Sequence, residues 1–141
     1  EPLISISDVS NLIKKTLQLE KKNKNFVAST LFFKKKFKKN VKSEVKLIIN
    51  SKNEVLLFTR DKLFSNHKKK EYFKHIGIYL YKSSFLQKFS KLKQNKMEKK
   101  ENLEQLRILE NGYKILAFKA QKDSIGVDTH DDLKKVRKIL V

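Results

Sequence analysis

The stretch "FKHIGIYLY", residues 73 to 81, carries the clearest strand pattern in the chain. Side chains of successive strand residues project to opposite faces of a sheet. Ile76, Ile78 and Leu80 therefore share one face, whereas His75 and Tyr79 share the other. The sequence predicts a strand with one packed face and a second face that presents polar groups.

The segments on both sides of this strand alternate between helical and extended patterns. Apolar residues recur at helical spacing in four of them, which predicts helices at 7–20, 83–94, 97–110 and 130–140. Apolar, β-prone runs predict strands at 25–33 and 113–120 and a hairpin over 44–60, with a solvated lysine-rich loop at 34–40. We expect one domain, residues 1–141, of the α/β or α+β class around a single sheet.

Hydroxyl and acidic side chains mark the expected helix starts. Ser7 is placed to cap the first helix, and Ser83 or Ser84 the second. Thr129, with Asp132 three residues later, predicts a capping box at the start of the last helix.

The net charge of +19 first suggests a nucleic-acid-binding protein. Only three of the 34 basic residues are arginine, however, and base and phosphate recognition depends strongly on arginine geometry. Aromatic residues lie among the lysines at Phe32, Phe33 and Phe37, which core packing explains more simply than base stacking. Sequence-specific nucleic-acid binding is not expected, although a basic nucleic-acid-binding module remains an alternative.

The chain contains no cysteine, which excludes thiolate chemistry and cysteine-bound metals. It also lacks an apolar run of about 18 residues and a signal-peptide pattern. We therefore expect no membrane span and a cytoplasmic location.

Three aspartates stand together in "GVDTHDDLKKV", residues 126 to 136. Carboxylates in the first turn of a helix favour its positive end, which accounts for Asp131 and Asp132. Asp128 precedes the capping residue and is a candidate metal ligand.

Three stretches resemble the 3-deoxy-manno-octulosonate (KDO) cytidylyltransferase family: "YFKHIGIYLYK" (72–82), "MEKKENLEQLRILENGYKI" (97–115) and "GVDTHDDLKKVR" (126–137). The resemblance covers most of the chain but only the C-terminal half of the family's length. It implies the C-terminal part of a Rossmann-like nucleotidyltransferase fold, with a mixed sheet, helices and a β-hairpin region.

The resemblance also implies a reaction and a site. The sugar's anomeric hydroxyl would attack the α-phosphate of CTP, giving CMP-KDO and pyrophosphate, with Mg²⁺ neutralising the phosphates. By position, Asp128 matches the catalytic metal ligand, and the side chains around the sugar are Arg60, His75, Tyr79, Glu104 and Gln105. Because Glu104 and Gln105 are adjacent, on a helix they point about 100° apart and could both line one cleft only at its edge. Arg107 is expected to have a structural role only.

The resemblance implies an N-terminal nucleotide-binding part with a glycine-containing loop around the triphosphate. The three glycines of this chain, at 77, 112 and 126, cannot form such a loop. We therefore expect a piece of a longer, homodimeric enzyme that supplies sugar binding and dimerisation and is inactive alone. Departures from the family, such as Asp123-Ser124 where Pro-Gly is usual, leave two alternatives open. One is an inactive fragment, and the other is a cytidylyltransferase for another sugar acid such as neuraminate.

Overall fold

The computed structural model describes residues 1–22, 25–36, 44–61 and 71–140. Five strands in these ranges form one mixed sheet with helices on both faces, which confirms the predicted α/β class. The elements are α1 (Ile6–Lys21), β1 (Ala28–Lys36), β2 (Lys46–Ile49), β3 (Val55–Thr59), β4 (Glu71–Tyr81), α2 (Ser83–Phe89), α3 (Lys96–Glu101), α4 (Gln105–Glu110), β5 (Ile115–Lys119) and α5 (His130–Leu140). No helix in the described ranges is long and apolar enough to cross a bilayer.

The strand order is β3-β2-β4-β1-β5. Strand β4, which carries the stretch at 73–81, is therefore central, with β2 on one side and β1 on the other. β1 and β5 run parallel, whereas the β2–β3, β2–β4 and β1–β4 pairs are antiparallel. The connection from β4 to β5 contains α2, α3 and α4.

Apolar side chains pack on both faces of the sheet. Leu12 of α1 packs with Leu31 and Ile76 on one face, whereas Phe58 and Ile108 belong to the cluster on the opposite face. The opposite cluster also contains Phe32, which is only 5% exposed and whose ring centroid lies 4.6 Å from that of Phe73. Phe32 is therefore a core residue and does not offer a surface for base stacking.

Several element boundaries differ from the predicted ones. α1 begins at Ile6 after Ser5, and the Ser7 hydroxyl bonds the Ser5 hydroxyl (2.7 Å) instead of capping the helix. α2 ends at Phe89 rather than at 94, and Lys82, not a serine, occupies its N-cap position. The predicted N-cap of α5 is confirmed, since the backbone N–H of Asp132 donates to the Thr129 hydroxyl. The capping box is a variant, because the Asp132 carboxylate accepts from the Thr129 hydroxyl rather than from the Thr129 backbone N–H.

The lysine-rich segment after residue 33 is partly strand. β1 continues through Lys34 to Lys36 because these residues pair with the start of β4, and Lys34 forms an ion pair of 2.6 Å with Glu71. The prediction of a loop beginning at 34 was therefore wrong. Residues 37–40 of that predicted loop lie outside the described residues.

The predicted helix at 97–110 is two short helices. Asn102 ends α3 in the left-handed conformation (φ 53°, ψ 50°), which asparagine tolerates better than most residues. The next helix, α4, begins at Gln105 and ends at Glu110, before Gly112, whose φ of 77° lets the chain leave the helix. The turn at Asn102 resets the direction in which the following side chains point.

Strand β4 contains a bulge that the alternating pattern does not predict. Thr30 of β1 pairs with Tyr79, yet the next residue, Leu31, pairs with Ile76. Two residues of β4 are therefore inserted, and the Thr30 hydroxyl donates to the Ile78 carbonyl at 2.7 Å. Bulges of this kind re-aim side chains.

His75 lies beside this bulge and is buried. Its Nε2 is 2.9 Å from the Thr30 hydroxyl, and its ring packs edge-on against Phe58, with 5.0 Å between ring centroids. The single hydroxyl proton of Thr30 is used by the Ile78 carbonyl, so Nε2 is the donor and Nδ1 keeps a free lone pair. Burial lowers the pKa of His75 from 6.5 to about 3, so the ring is neutral at pH 7.

The buried imidazole predicts a loss of stability in mild acid. The unfolded chain binds a proton at this histidine below about pH 6.5, whereas the folded chain does so only near pH 3, so stability falls as the pH is lowered between these values. The free energy of unfolding should drop by about 2 kcal/mol between about pH 7 and pH 5 through this group. Urea unfolding at several pH values measures it.

His75→Gln should remove this component, whereas His130→Gln, on the exposed surface of α5, should retain it. An identical pH dependence in wild type and His75→Gln would contradict the prediction.

Candidate active site

A cleft opens where β2 diverges from β4. The two strands pair only at Lys46 with Lys74 and at Leu47 with Phe73. Farther along β4, the Gly77 N–H donates to the Glu1 carboxylate (3.0 Å) rather than to a neighbouring strand. This edge of β4 therefore faces a space that side chains from several elements surround.

The cleft has a volume of about 1120 Å³, slightly above the roughly 300–1,000 Å³ of typical small-molecule sites. Its walls come from β4, the α3–α4 turn and the segment after β5. The structure brings all six predicted site residues to this cleft: Arg60, His75, Tyr79, Glu104, Gln105 and Asp128.

Tyr79 contributes an unsatisfied hydroxyl. Its ring centroid lies 5.3 Å from that of His75 and 5.5 Å from that of Tyr81. Its hydroxyl is buried and has no hydrogen-bond partner among the described residues. Burial, with Tyr81 and Glu104 nearby, raises the pKa of Tyr79 well above 10, so the phenol keeps its proton as a donor.

Glu104 and Gln105 both line the cleft. The chain turns at Asn102 and α4 begins at Gln105, but Glu104 also has helical dihedral angles (φ −62°, ψ −29°), so the two side chains diverge as expected. Gln105 is 5% exposed, and its side-chain amide forms no hydrogen bond within the described part of the chain. Glu104 is exposed, so the two offer a buried amide and an open carboxylate.

A buried ion pair holds α3 against α4. Arg107 donates from Nε to Glu98 Oε2 at 2.8 Å and makes a second contact from its terminal nitrogen to Glu98 Oε1. The guanidinium also lies over the Phe89 ring, 5.1 Å from its centroid. Glu98 is only 4% exposed, and its carboxylate is the ion-pair partner of Arg107. Arg107 therefore has the structural role expected for it.

Arg60 follows β3 and enters the cleft from the opposite side. Its backbone N–H donates to Glu101 Oε2 at 2.9 Å, and the Thr59 hydroxyl donates to the same oxygen at 3.2 Å. These bonds tie the end of β3 to α3. They bring Arg60 into the cleft that Gln105 also lines.

Asp128 lies exposed at the rim of the cleft, in the irregular segment between β5 and α5. Other acidic side chains nearby are engaged: Asp123 with Lys74 (2.8 Å) and Asp132 with the Thr129 hydroxyl (2.7 Å). Asp128 makes no such bond to any residue in the described ranges. Over those ranges no three His, Cys, Asp or Glu side chains form a ready metal cluster.

Ten further charged residues line the cleft without having been predicted to do so from the sequence: Glu1, Lys35, Glu44, Lys74, Glu98, Lys99, Arg107, Asp123, Asp132 and Lys135. Lys74 is 8% exposed although lysine is usually a surface residue. In a chain with 31 lysines, nothing in the local pattern distinguishes it from its neighbours. Only the position of β4 in the sheet makes Lys74 unusual.

The cleft does not share the basic character of the chain. Its described lining includes six basic side chains (Lys35, Arg60, Lys74, Lys99, Arg107 and Lys135) and seven acidic ones (Glu1, Glu44, Glu98, Glu104, Asp123, Asp128 and Asp132). The formal charge of these side chains is thus −1 in a protein of net charge +19. An anionic ligand would meet nearby carboxylates here.

Known proteins resemble this chain over nearly all of its length. A protein from Fusobacterium nucleatum named 3-deoxy-manno-octulosonate cytidylyltransferase is 38% identical over 96% of this chain and 56% of its own length. A protein of the same name from Francisella philomiragia is 43% identical over 69% of this chain and 42% of its own length. The chain spans little more than half the length of the relatives that it matches most fully.

A solved structure supports the same relationship. CMP:2-keto-3-deoxy-manno-octonic acid synthetase, in complex with CTP, superposes with a TM-score of 0.80 and 33% sequence identity, over 99% of this chain and 58% of the other. The family model described as cytidylyltransferase matches residues 1–115. This chain belongs to the cytidylyltransferase family.

Proposed function

We propose that this chain forms the sugar-acid side of a cytidylyltransferase site that transfers CMP from CTP to 3-deoxy-manno-octulosonate. The proposal is supported by the two relatives of that name and by the cleft that gathers the six site residues. In the reaction, the anomeric hydroxyl of the sugar attacks the α-phosphate of CTP. A new oxygen–phosphorus bond forms, pyrophosphate leaves, and the hydroxyl proton is lost.

The observation that carries the sugar-acid assignment is the buried, unpaired hydroxyl of Tyr79 in the cleft wall. A buried hydroxyl without a partner costs about 1–3 kcal/mol, so folding does not favour keeping it. A sugar hydroxyl in the cleft would accept its proton and remove that cost. This unsatisfied donor is a reason to expect a ligand oxygen at this point of the cleft wall.

The neighbouring groups suit the same ligand. The Gln105 amide can donate to and accept from sugar hydroxyls, and Nδ1 of the neutral His75 can accept. Arg60 supplies a guanidinium, the side chain that best matches a carboxylate in geometry. Glu104 accepts hydrogen bonds from hydroxyls at the open side of the cleft.

We further propose that Asp128 binds Mg²⁺. Magnesium is usually held by one or two carboxylates, with waters and substrate phosphates completing its coordination, so one free carboxylate fits. Asp128 is the carboxylate of the 123–132 segment that has no bond to another described residue. When bound, the ion would neutralise the phosphates of CTP.

The acidic balance of the cleft supports the same proposal. CTP and the sugar acid are both anions, and a lining with a formal charge of −1 would repel them at close range. A divalent cation beside Asp128 would reverse the sign of the local field.

Other expectations stay predictions. These are the separate N-terminal nucleotide-binding part, the homodimer, the cytoplasmic location and the inactivity of the chain alone. Neuraminate is the alternative sugar acid, and binding measurements with both compounds distinguish it from 3-deoxy-manno-octulosonate.

Tyr79→Phe tests the sugar-acid assignment because it deletes only the unsatisfied hydroxyl. The affinity for KDO, measured by NMR titration of the 141-residue chain, should fall about 5-fold to 150-fold, the equivalent of one lost hydrogen bond. The free energy of unfolding should stay equal or rise, since the deleted group had no partner.

Tyr113→Phe, on a partly exposed tyrosine outside the cleft, is the matched control and should leave KDO affinity unchanged. Equal affinity of wild type and Tyr79→Phe would remove Tyr79 from the sugar site. Tighter binding of neuraminate than of KDO would favour the alternative sugar acid.

Asp128→Asn tests the metal assignment. In the enzyme that contains this chain, turnover should fall at least about 100-fold, on the order of 3 kcal/mol, because the variant removes the charge that attracts the ion. The free energy of unfolding should change by less than about 0.5 kcal/mol, since the residue is exposed.

Asp131→Asn, three residues away and exposed in the first turn of α5, should leave turnover nearly unchanged. Near-normal turnover of Asp128→Asn across a magnesium titration would exclude Asp128 as the metal ligand.

A further inference from the structure

Ser124 is buried (2% exposed) although it lies in the irregular segment between β5 and α5. Its N–H donates to Asp123 Oδ1 at 2.9 Å, and its hydroxyl donates to Glu1 Oε2 at 2.6 Å. Its carbonyl accepts a hydrogen bond from the ammonium of Lys74. All three polar groups of this serine are therefore satisfied.

The partners of Ser124 connect it to strand β4. Lys74 belongs to β4, and its ammonium also pairs with Asp123 Oδ1 at 2.8 Å. The second oxygen of the Glu1 carboxylate accepts from the backbone N–H of Gly77, which also belongs to β4. Ser124 is thus attached to the open edge of β4 at two points, Lys74 and Gly77.

The same stretch of β4 carries His75 and Tyr79, whereas Asp128 lies four residues after Ser124. Four residues of extended chain span up to about 14 Å, so without an anchor at Ser124 Asp128 would have a wide range of positions relative to β4. The attachment at Ser124 limits this range from one side. The capping box at Thr129 and the buried Val136 of α5 limit it from the other.

We propose that Lys74 and Ser124 are positioning residues that fix Asp128 relative to the sugar-binding side chains of β4. This inference rests on the proposed function for the role of Asp128. Neither residue touches the reacting atoms in this assignment. The Lys74–Ser124–Glu1 clamp sets the separation between the metal side and the sugar side of the cleft.

Burial makes the clamp specific. Lys74 is 8% exposed, so its ammonium needs acceptors with fixed geometry, and Asp123 and the Ser124 carbonyl provide them. Asp123 is also paired with Lys35 at 3.1 Å. Removing the Lys74 charge therefore does not leave the Asp123 carboxylate unpaired, and Lys74→Met keeps most of the buried aliphatic stem.

The test measures loop order and metal position in the 141-residue chain by NMR. Backbone order parameters of residues 125–128 should be near 0.85 in wild type and fall below about 0.6 in Lys74→Met. Mn²⁺, used as a paramagnetic probe in place of Mg²⁺, should broaden the amide signals around Asp128 and, to a fixed lesser degree, those of residues 75–79.

In Lys74→Met, the broadening around Asp128 should persist, and the ratio of the broadening at residues 75–79 to that around Asp128 should fall at least twofold. Lys74→Arg retains hydrogen-bond donors and should restore the wild-type ratio. Ser124→Ala deletes one hydroxyl and should loosen the segment without unfolding the chain. Lys114→Met, which removes an exposed pair with Glu54 (2.8 Å), is the matched control and should alter neither measurement.

Different results would contradict the clamp and the metal assignment. Unchanged order parameters and an unchanged broadening ratio in both Lys74→Met and Ser124→Ala would overturn the clamp. Mn²⁺ broadening that persists in Asp128→Asn would overturn the metal assignment and with it the positioning role, even if Lys74→Met loosened the segment.

Discussion

Within the described part of the chain, backbone groups of β4 beyond His75 have no strand beside them on the β2 side, yet groups inside a protein must be hydrogen-bonded. The cleft depends on how this requirement is met. On that side the Gly77 N–H donates to the Glu1 carboxylate, whereas the Thr30 hydroxyl of β1 donates to the Ile78 carbonyl from the other side of β4. Because a side chain rather than a neighbouring strand satisfies the Gly77 N–H, the edge stays open, and His75 and Tyr79 can line a space that a ligand can enter.

The break at Asn102 completes the opposite wall. The left-handed turn ends α3, and the new helix begins at Gln105, whose buried side chain lines the cleft beside the exposed Glu104. The buried pair between Glu98 and Arg107 holds the two short helices together. Packing on both sides of the turn thus compensates for the helical hydrogen bonds that are interrupted there.

Charge is distributed unevenly between the surface and the cleft. The chain is strongly basic, but its cleft combines lysines with a slight excess of carboxylates, and most of these are paired with one another. Pairing fixes geometry more than it adds attraction, since burying each charge costs several kcal/mol. The arrangement suits a site in which a cation arrives with the ligand better than one that attracts phosphate by lysines alone.

The sequence by itself determined the class of the fold, the strand at 73–81, the hairpin, the capping box of α5 and six residues that meet in one cleft. These follow from local periodicity and from motif resemblance, which depend on neighbours along the chain. The tertiary structure alone decided the strand order, the bulge beside Thr30, the turn at Asn102 and the burial of Lys74. Each of these depends on a partner from a distant segment, such as Thr30 against Ile78 or Lys74 against Ser124. No local pattern records which distant group will satisfy a buried donor or acceptor.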